Sequence, residues 1–178
     1  MKLCILIIFC FLAGCNQYNA TGKYISKIAF KLHANKADRD IFPDGIEPWI
    51  NLDTPNKKID SLIDPDAIVL PNNKVTLIID YPLTHRAVFE IEGTGNGFSR
   101  KQLIRLISDK YHEIYKEEEN SASTKTVAAG DRKTLLNRNQ TNGKYGICCH
   151  DLSDLDLSYI EVHKNFFGKI FLVLDVES

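Results

Sequence analysis

The alternation of hydrophobic and polar positions predicts strands along most of the chain and one long helix. In residues 24–32, Tyr24, Ile28, Phe30 and Leu32 share one face while Lys27, Lys31 and His33 share the other. That period of two is the mark of a half-buried strand. Residues 46–52 read as a short edge strand, because Pro48 cannot donate to a ladder. Residues 67–70 form another, stopped by Pro71-Asn72-Asn73. Residues 75–81 and 86–92 read as a strand pair joined by Pro82-Leu83-Thr84-His85. Residues 155–162 and 169–176 form a second hairpin around Lys164-Asn165. Its last strand is apolar on both faces for five residues, which predicts a central or helix-covered position.

The period changes after Gly93-Thr94-Gly95-Asn96-Gly97. Ser99 with Gln102 three residues on is a capping-box signature. Beyond it Leu103, Ile104, Ile107, Tyr111, Ile114 and Tyr115 recur at helical spacing, and the pattern fades through Glu117, Glu118 and Glu119. Residues 121–143 are mostly polar with no clear element, a length that implies a functional loop or partial disorder. The order of elements predicts an α+β fold: an antiparallel sheet of about five to six strands, including two hairpins, packed against one main amphipathic helix.

Composition narrows the class. With 178 residues, 44% hydrophobic and 25% charged, the chain is neither disordered nor a polytopic membrane protein. A net charge of -1 gives no general reason to bind nucleic acid. No motif calls for a cofactor.

The N-terminus is the most specific segment. Lys2 precedes a nearly unbroken apolar run from residue 4 to 12, too short for an ordinary transmembrane helix but suited to a signal-peptide core. Leu12-Ala13-Gly14-Cys15 follows. Residues 1–15 resemble a bacterial lipoprotein signal with its lipobox. The resemblance implies diacylglyceryl transfer to the Cys15 sulfur, cleavage after Gly14, acylation of the new amine (palmitate and related chains) and a periplasmic, membrane-anchored domain. Asn16 at the second mature position then points to the outer membrane. Residues 1–14 are the expected signal, 15–22 the lipidated cysteine and tether, and 23–178 a single domain. Cleavage removes Cys4 and Cys10, and lipid takes Cys15, so only Cys148 and Cys149 remain as thiols. They are expected as reduced, packed small hydrophobes. A vicinal disulfide in an oxidising periplasm is the alternative.

Three segments of the domain could carry chemistry. The glycine-rich turn ahead of the helix, with Arg100, Lys101 and Arg105 at its positive end, has the layout of an anion site, although GxGxG is not the dinucleotide spacing. The bland reading is a solvated helix start. Residues 143–156 gather Cys148, Cys149, His150, Asp151, Asp154 and Asp156, the densest set of reactive side chains. His150 and Asp151 are the candidate catalytic pair, and Asp154 and Asp156 the candidate metal ligands. The spacings fit neither structural zinc nor a calcium loop. Residues 125–144 hold Lys125, Arg132, Lys133, Arg138 and Lys144 against Asp131 alone, a local basic excess fitting an anionic envelope component or an acidic partner protein.

Two functions compete. In the first, a lipoprotein presents a small periplasmic domain that binds a protein or envelope component through Arg100, Lys101, Arg105, Arg132, Lys133 or Arg138. In the second, a metal-dependent or hydrolytic enzyme is centred on His150, Asp151, Asp154 and Asp156.

Overall fold

A computed structural model describes residues 22–133 and 140–178. Cys15 and Arg138 lie outside the described residues. The strands are β1 (Lys23–Ala29), β2 (Leu32–His33), β3 (Ile46–Glu47), β4 (Ile50–Asn51), β5 (Ile68–Leu70), β6 (Lys74–Ile79), β7 (Ala87–Glu92), β8 (Phe98–Ser99), β9 (Asp156–Lys164) and β10 (Ile170–Glu177). The helix α1 spans Arg100–Ser121. Six strands form the main sheet in the order β1-β9-β10-β6-β7, with β4 also pairing β9. The fold is α+β.

The sheet is mostly antiparallel, yet its middle pair, β6 and β10, runs parallel, with Leu172 beside Leu77. The expected antiparallel sheet thus carries one parallel pair. Each predicted hairpin forms, β6 with β7 and β9 with β10. The most apolar strand of each then seeks the centre, where both faces are covered. Val75, Thr76, Leu77, Ile78 and Ile79 are all buried, and docking β10 against them sets the two hairpins side by side with their inner strands in one direction.

The helix covers one face of this sheet. Leu103, Ile104, Ile107, Tyr111 and Ile114 are buried in the same core as Phe30, Leu77, Ile79, Ile160 and Leu172. Ser99 caps the helix, its Oγ accepting from the Gln102 amide at 3.2 Å. The helix does not fade at the glutamates, because Glu118 is itself buried and bonded, as described below. Among the described residues no helix is long and apolar enough to cross a membrane.

One residue of the first strand is not where alternation puts it. Tyr24 pairs with His163 and Ser26 with Val162, so the register shifts by one residue between them. A bulge of this kind turns the preceding side chain to the opposite face. Ile28, Phe30 and Leu32 are buried as expected, whereas Tyr24 stands on the outer face against the His163 ring, with centroids 5.9 Å apart.

The glycine-rich turn has a structural explanation. Gly97 has a φ of +126°, and a Cβ built there would lie 2.2 Å from the Leu70 carbonyl oxygen, across the β5–β8 pair. Only glycine fits so close an approach with that backbone. Gly97→Ala is expected to cost at least about 2 kcal/mol, read as a lower urea midpoint with unchanged m-value.

Candidate functional site

The segment the sequence singled out is held in place by one buried carboxylate. Glu118, 1% exposed in the last turns of α1, accepts from Thr141 Oγ1 at 2.6 Å and from the amides of Gly143, Tyr145 and Gly146 at 2.6, 2.7 and 3.2 Å. Burial pushes its carboxyl up, but these four donors outweigh it and hold the group below the usual glutamate range. The turn so fixed pairs with the loop after β6. The amides of Thr84 and His85 donate to Gly146 and Tyr145, and that of Cys148 to Pro82. The sequence signal for this anchor was weak, because three consecutive glutamates read as a solvated helix end.

From that platform the chain delivers Cys148, Cys149 and His150 to one wall of a cleft of about 410 Å³, whose other wall is Asp80, Tyr81, Pro82, Leu83 and Thr84. Two helix tyrosines brace the walls. Tyr111 donates to the Tyr81 carbonyl at 2.8 Å, and Tyr115 to the His150 carbonyl at 2.9 Å. Burial, then the charges of Asp151 and Asp154, push the Tyr115 phenol well up, so it stays a donor at any physiological pH. At the mouth the Tyr81 hydroxyl lies 2.9 Å from His150 Nε2 and 2.8 Å from Ser178 Oγ. This Tyr81–His150–Ser178 cluster joins residues far apart in the chain and had no local sequence signal.

The cysteines depart from the expectation. Their sulfurs are bonded to each other, with α-carbons 3.7 Å apart. Cys149 adopts a φ of +77°, and Cys148 is exposed rather than packed. The core place is taken by Ile147, which is 2% exposed, so neither thiol is needed there.

The carboxylates of the candidate enzyme site serve local structure. Asp151 caps the short 3-10 helix Leu152–Asp154, and Asp154 Oδ2 accepts from the Asp151 amide at 3.1 Å, forming a reciprocal capping box. Asp151 also pairs with Arg132 at 2.5 Å. Asp156 accepts from Asn51 Nδ2 at 3.1 Å, and burial raises its carboxyl despite that bond. Among the described residues no group of three or more His, Cys, Asp or Glu side chains is placed to hold a metal. A second cleft, of about 520 Å³, lies on the far side of Asp151 between Asp53, Thr126, Arg132 and Ser153. The Cys148–Asp151 segment is thus a ridge with a cleft on either flank.

Among the described residues, Arg100, Lys101, Arg105 and Arg132 are each engaged with partners of their own. Arg100 donates to the carbonyls of Ala29, Ile63 and Asp64 at 3.1, 3.0 and 2.8 Å, clamping β1 and the loop before β5 to the helix start. Lys101 pairs with Asp66 at 2.6 Å and Arg105 Nε donates to Asn56 at 3.2 Å. Lys133 is exposed. Comparison with known proteins finds no matching family model, no similar curated protein and no similar solved structure.

Proposed function

We propose that this chain is a bacterial lipoprotein, anchored through acyl chains on Cys15, that presents a small α+β domain to bind a protein or envelope component. The observation that carries the reading is the sequence Leu12-Ala13-Gly14-Cys15 at the end of a short apolar run. Small residues ahead of a nucleophilic thiol suit both lipid transfer and cleavage. The predicted location is the outer membrane, facing the periplasm.

The geometry supports a binding role over an enzymatic one. Asp151, Asp154 and Asp156 are engaged in a capping box, an ion pair and a bond to Asn51, while the clefts beside Cys148–Asp151 are shallow and accessible. The β10 register places Ile170 at the hairpin end of the sheet and Glu177 at the other. Ser178, Tyr81 and His150 meet at this second end, away from the point where the tether joins at Gly22. A cleft at the end of the sheet away from the tether suits a domain that offers it to the compartment.

Fractionation of the native cell tests the reading. The chain should sediment with membranes, resist extraction by high salt and alkaline carbonate, and be released by detergent. Recovery from the cytosol contradicts it.

A further inference from the structure

We propose that the β9–β10 hairpin tip is a second membrane contact, inserting Phe166 and Phe167 into the bilayer that holds the Cys15 acyl chains. This rests on the lipoprotein reading and adds the orientation of the domain. Phe166 is 97% exposed and Phe167 88% exposed, with their rings in edge contact 5.5 Å apart. Two adjacent, fully exposed phenylalanines are unusual on a soluble surface and mark a contact site.

The turn that carries them is hydrogen-bonded within itself. Asn165 Oδ1 accepts from the amides of Phe167 and Lys169 at 3.0 and 2.9 Å, the Asn165 amide donates to Lys169, and Gly168 closes the turn with a φ of +83°. These bonds fix the backbone that presents the two rings. Tyr24 and Ile25, 49% and 52% exposed, continue the apolar surface along the adjoining edge of β1. Tyrosine beside apolar side chains is the composition of a membrane–water interface.

Two features say what covers this tip. The first is its place beside the tether. Gly22 packs so closely on the hairpin that a Cβ there would lie 2.4 Å from the Lys164 carbonyl oxygen. From Gly22 back to Cys15 is seven residue steps, a reach of at most about 25 Å. Acyl chains on Cys15 hold the bilayer surface within that distance of Gly22, which packs on Lys164 and Asn165 at the base of the turn. The second is charge. Lys23 and Lys164 are register partners, two cations directly opposite on paired strands. Like charges so placed repel, and phosphate headgroups relieve that repulsion. On the other flank Lys169 pairs with Glu90 at 2.9 Å.

The test uses the acylated protein purified from membranes, carrying Phe167→Trp, in vesicles of phosphatidylethanolamine and phosphatidylglycerol with brominated acyl chains. Trp49 is the built-in control. It lines a cavity with Asp175 and Glu177, at the end of the sheet opposite the hairpin. Unsubstituted protein should show little quenching, and the variant at least about twofold more, with emission shifted to the blue. Quenching no greater than that of the unsubstituted protein overturns the hairpin contact alone. A blue shift that grows with protein concentration but brings no extra quenching also overturns it, in favour of self-association. The mass of the Cys15 peptide from the same sample separates the two readings, because an unacylated cysteine overturns both.

Discussion

Glu118→Ala is expected to lower the stability of the domain by at least about 3 kcal/mol. Removing the carboxylate leaves the Thr141 hydroxyl and the amides of Gly143, Tyr145 and Gly146 without their acceptor. Each buried donor left unsatisfied costs roughly 1–3 kcal/mol, and relaxation of the turn with water entry recovers part of the sum. Glu118→Gln is expected to fall between the two, since its amide oxygen can still accept but its NH₂ faces donors. Urea unfolding followed by circular dichroism measures both. Hydrogen exchange should show faster exchange at residues 141–148 in Glu118→Ala, because the donors anchored there are the ones released. Equal protection would mean that the carboxylate does not hold the turn.

The same group sets a pH dependence. The carboxyl of Glu118 lies below its usual value near 4.5 in the folded protein. Its contribution is therefore fully present above the unfolded value and is lost as pH falls through the folded one. Glu117, lowered by Lys144 and Tyr145, acts in the same direction. Asp156, raised by burial, acts in the opposite one. The native domain should lose stability below about pH 4.5, and Glu118→Ala should lose less over the same interval.

Most of the elements were legible in the sequence because their signals are local. The Ser99 cap and the stripe from Leu103 to Ile114 fix the helix, and two pairs of strand-forming runs joined by short turns fix the hairpins. What escaped was set by contacts between distant segments. The parallel seam between β6 and β10 follows from the burial of two strands whose register partners, Phe171 with Thr76 and Leu172 with Leu77, are far apart in the chain. The outward turn of Tyr24 depends on a bulge with no residue signature of its own. The candidate site was half legible: the density of reactive groups at residues 148–156 marked the ridge, but not which of them are exposed. Arg100 was an anion-site candidate because its position at a helix start is visible in sequence, whereas the three carbonyls that occupy it come from β1 and the loop ahead of β5.

The largest functional effect is expected from Cys15→Ser. Each methylene taken from water into the bilayer contributes about 0.8 kcal/mol, and two or more acyl chains anchor a protein stably where one does not. Serine cannot accept the lipid through a thioether, so labelled palmitate incorporation should fall to background. When the Cys15→Ser chain is delivered with an ordinary cleavable signal peptide, the domain should wash from membranes with salt. Phe166 and Phe167 provide only a weak, reversible contact without the anchor. Retention of the serine variant through carbonate extraction would show that something other than the acyl chains fastens the domain.

The most direct measurement is mass spectrometry of the N-terminal peptide from protein purified out of the native membrane. The expected peptide begins at Cys15 and carries the added mass of diacylglyceryl and an amide-linked acyl chain. A peptide with an unmodified Cys15, or one still joined to Gly14, would contradict it.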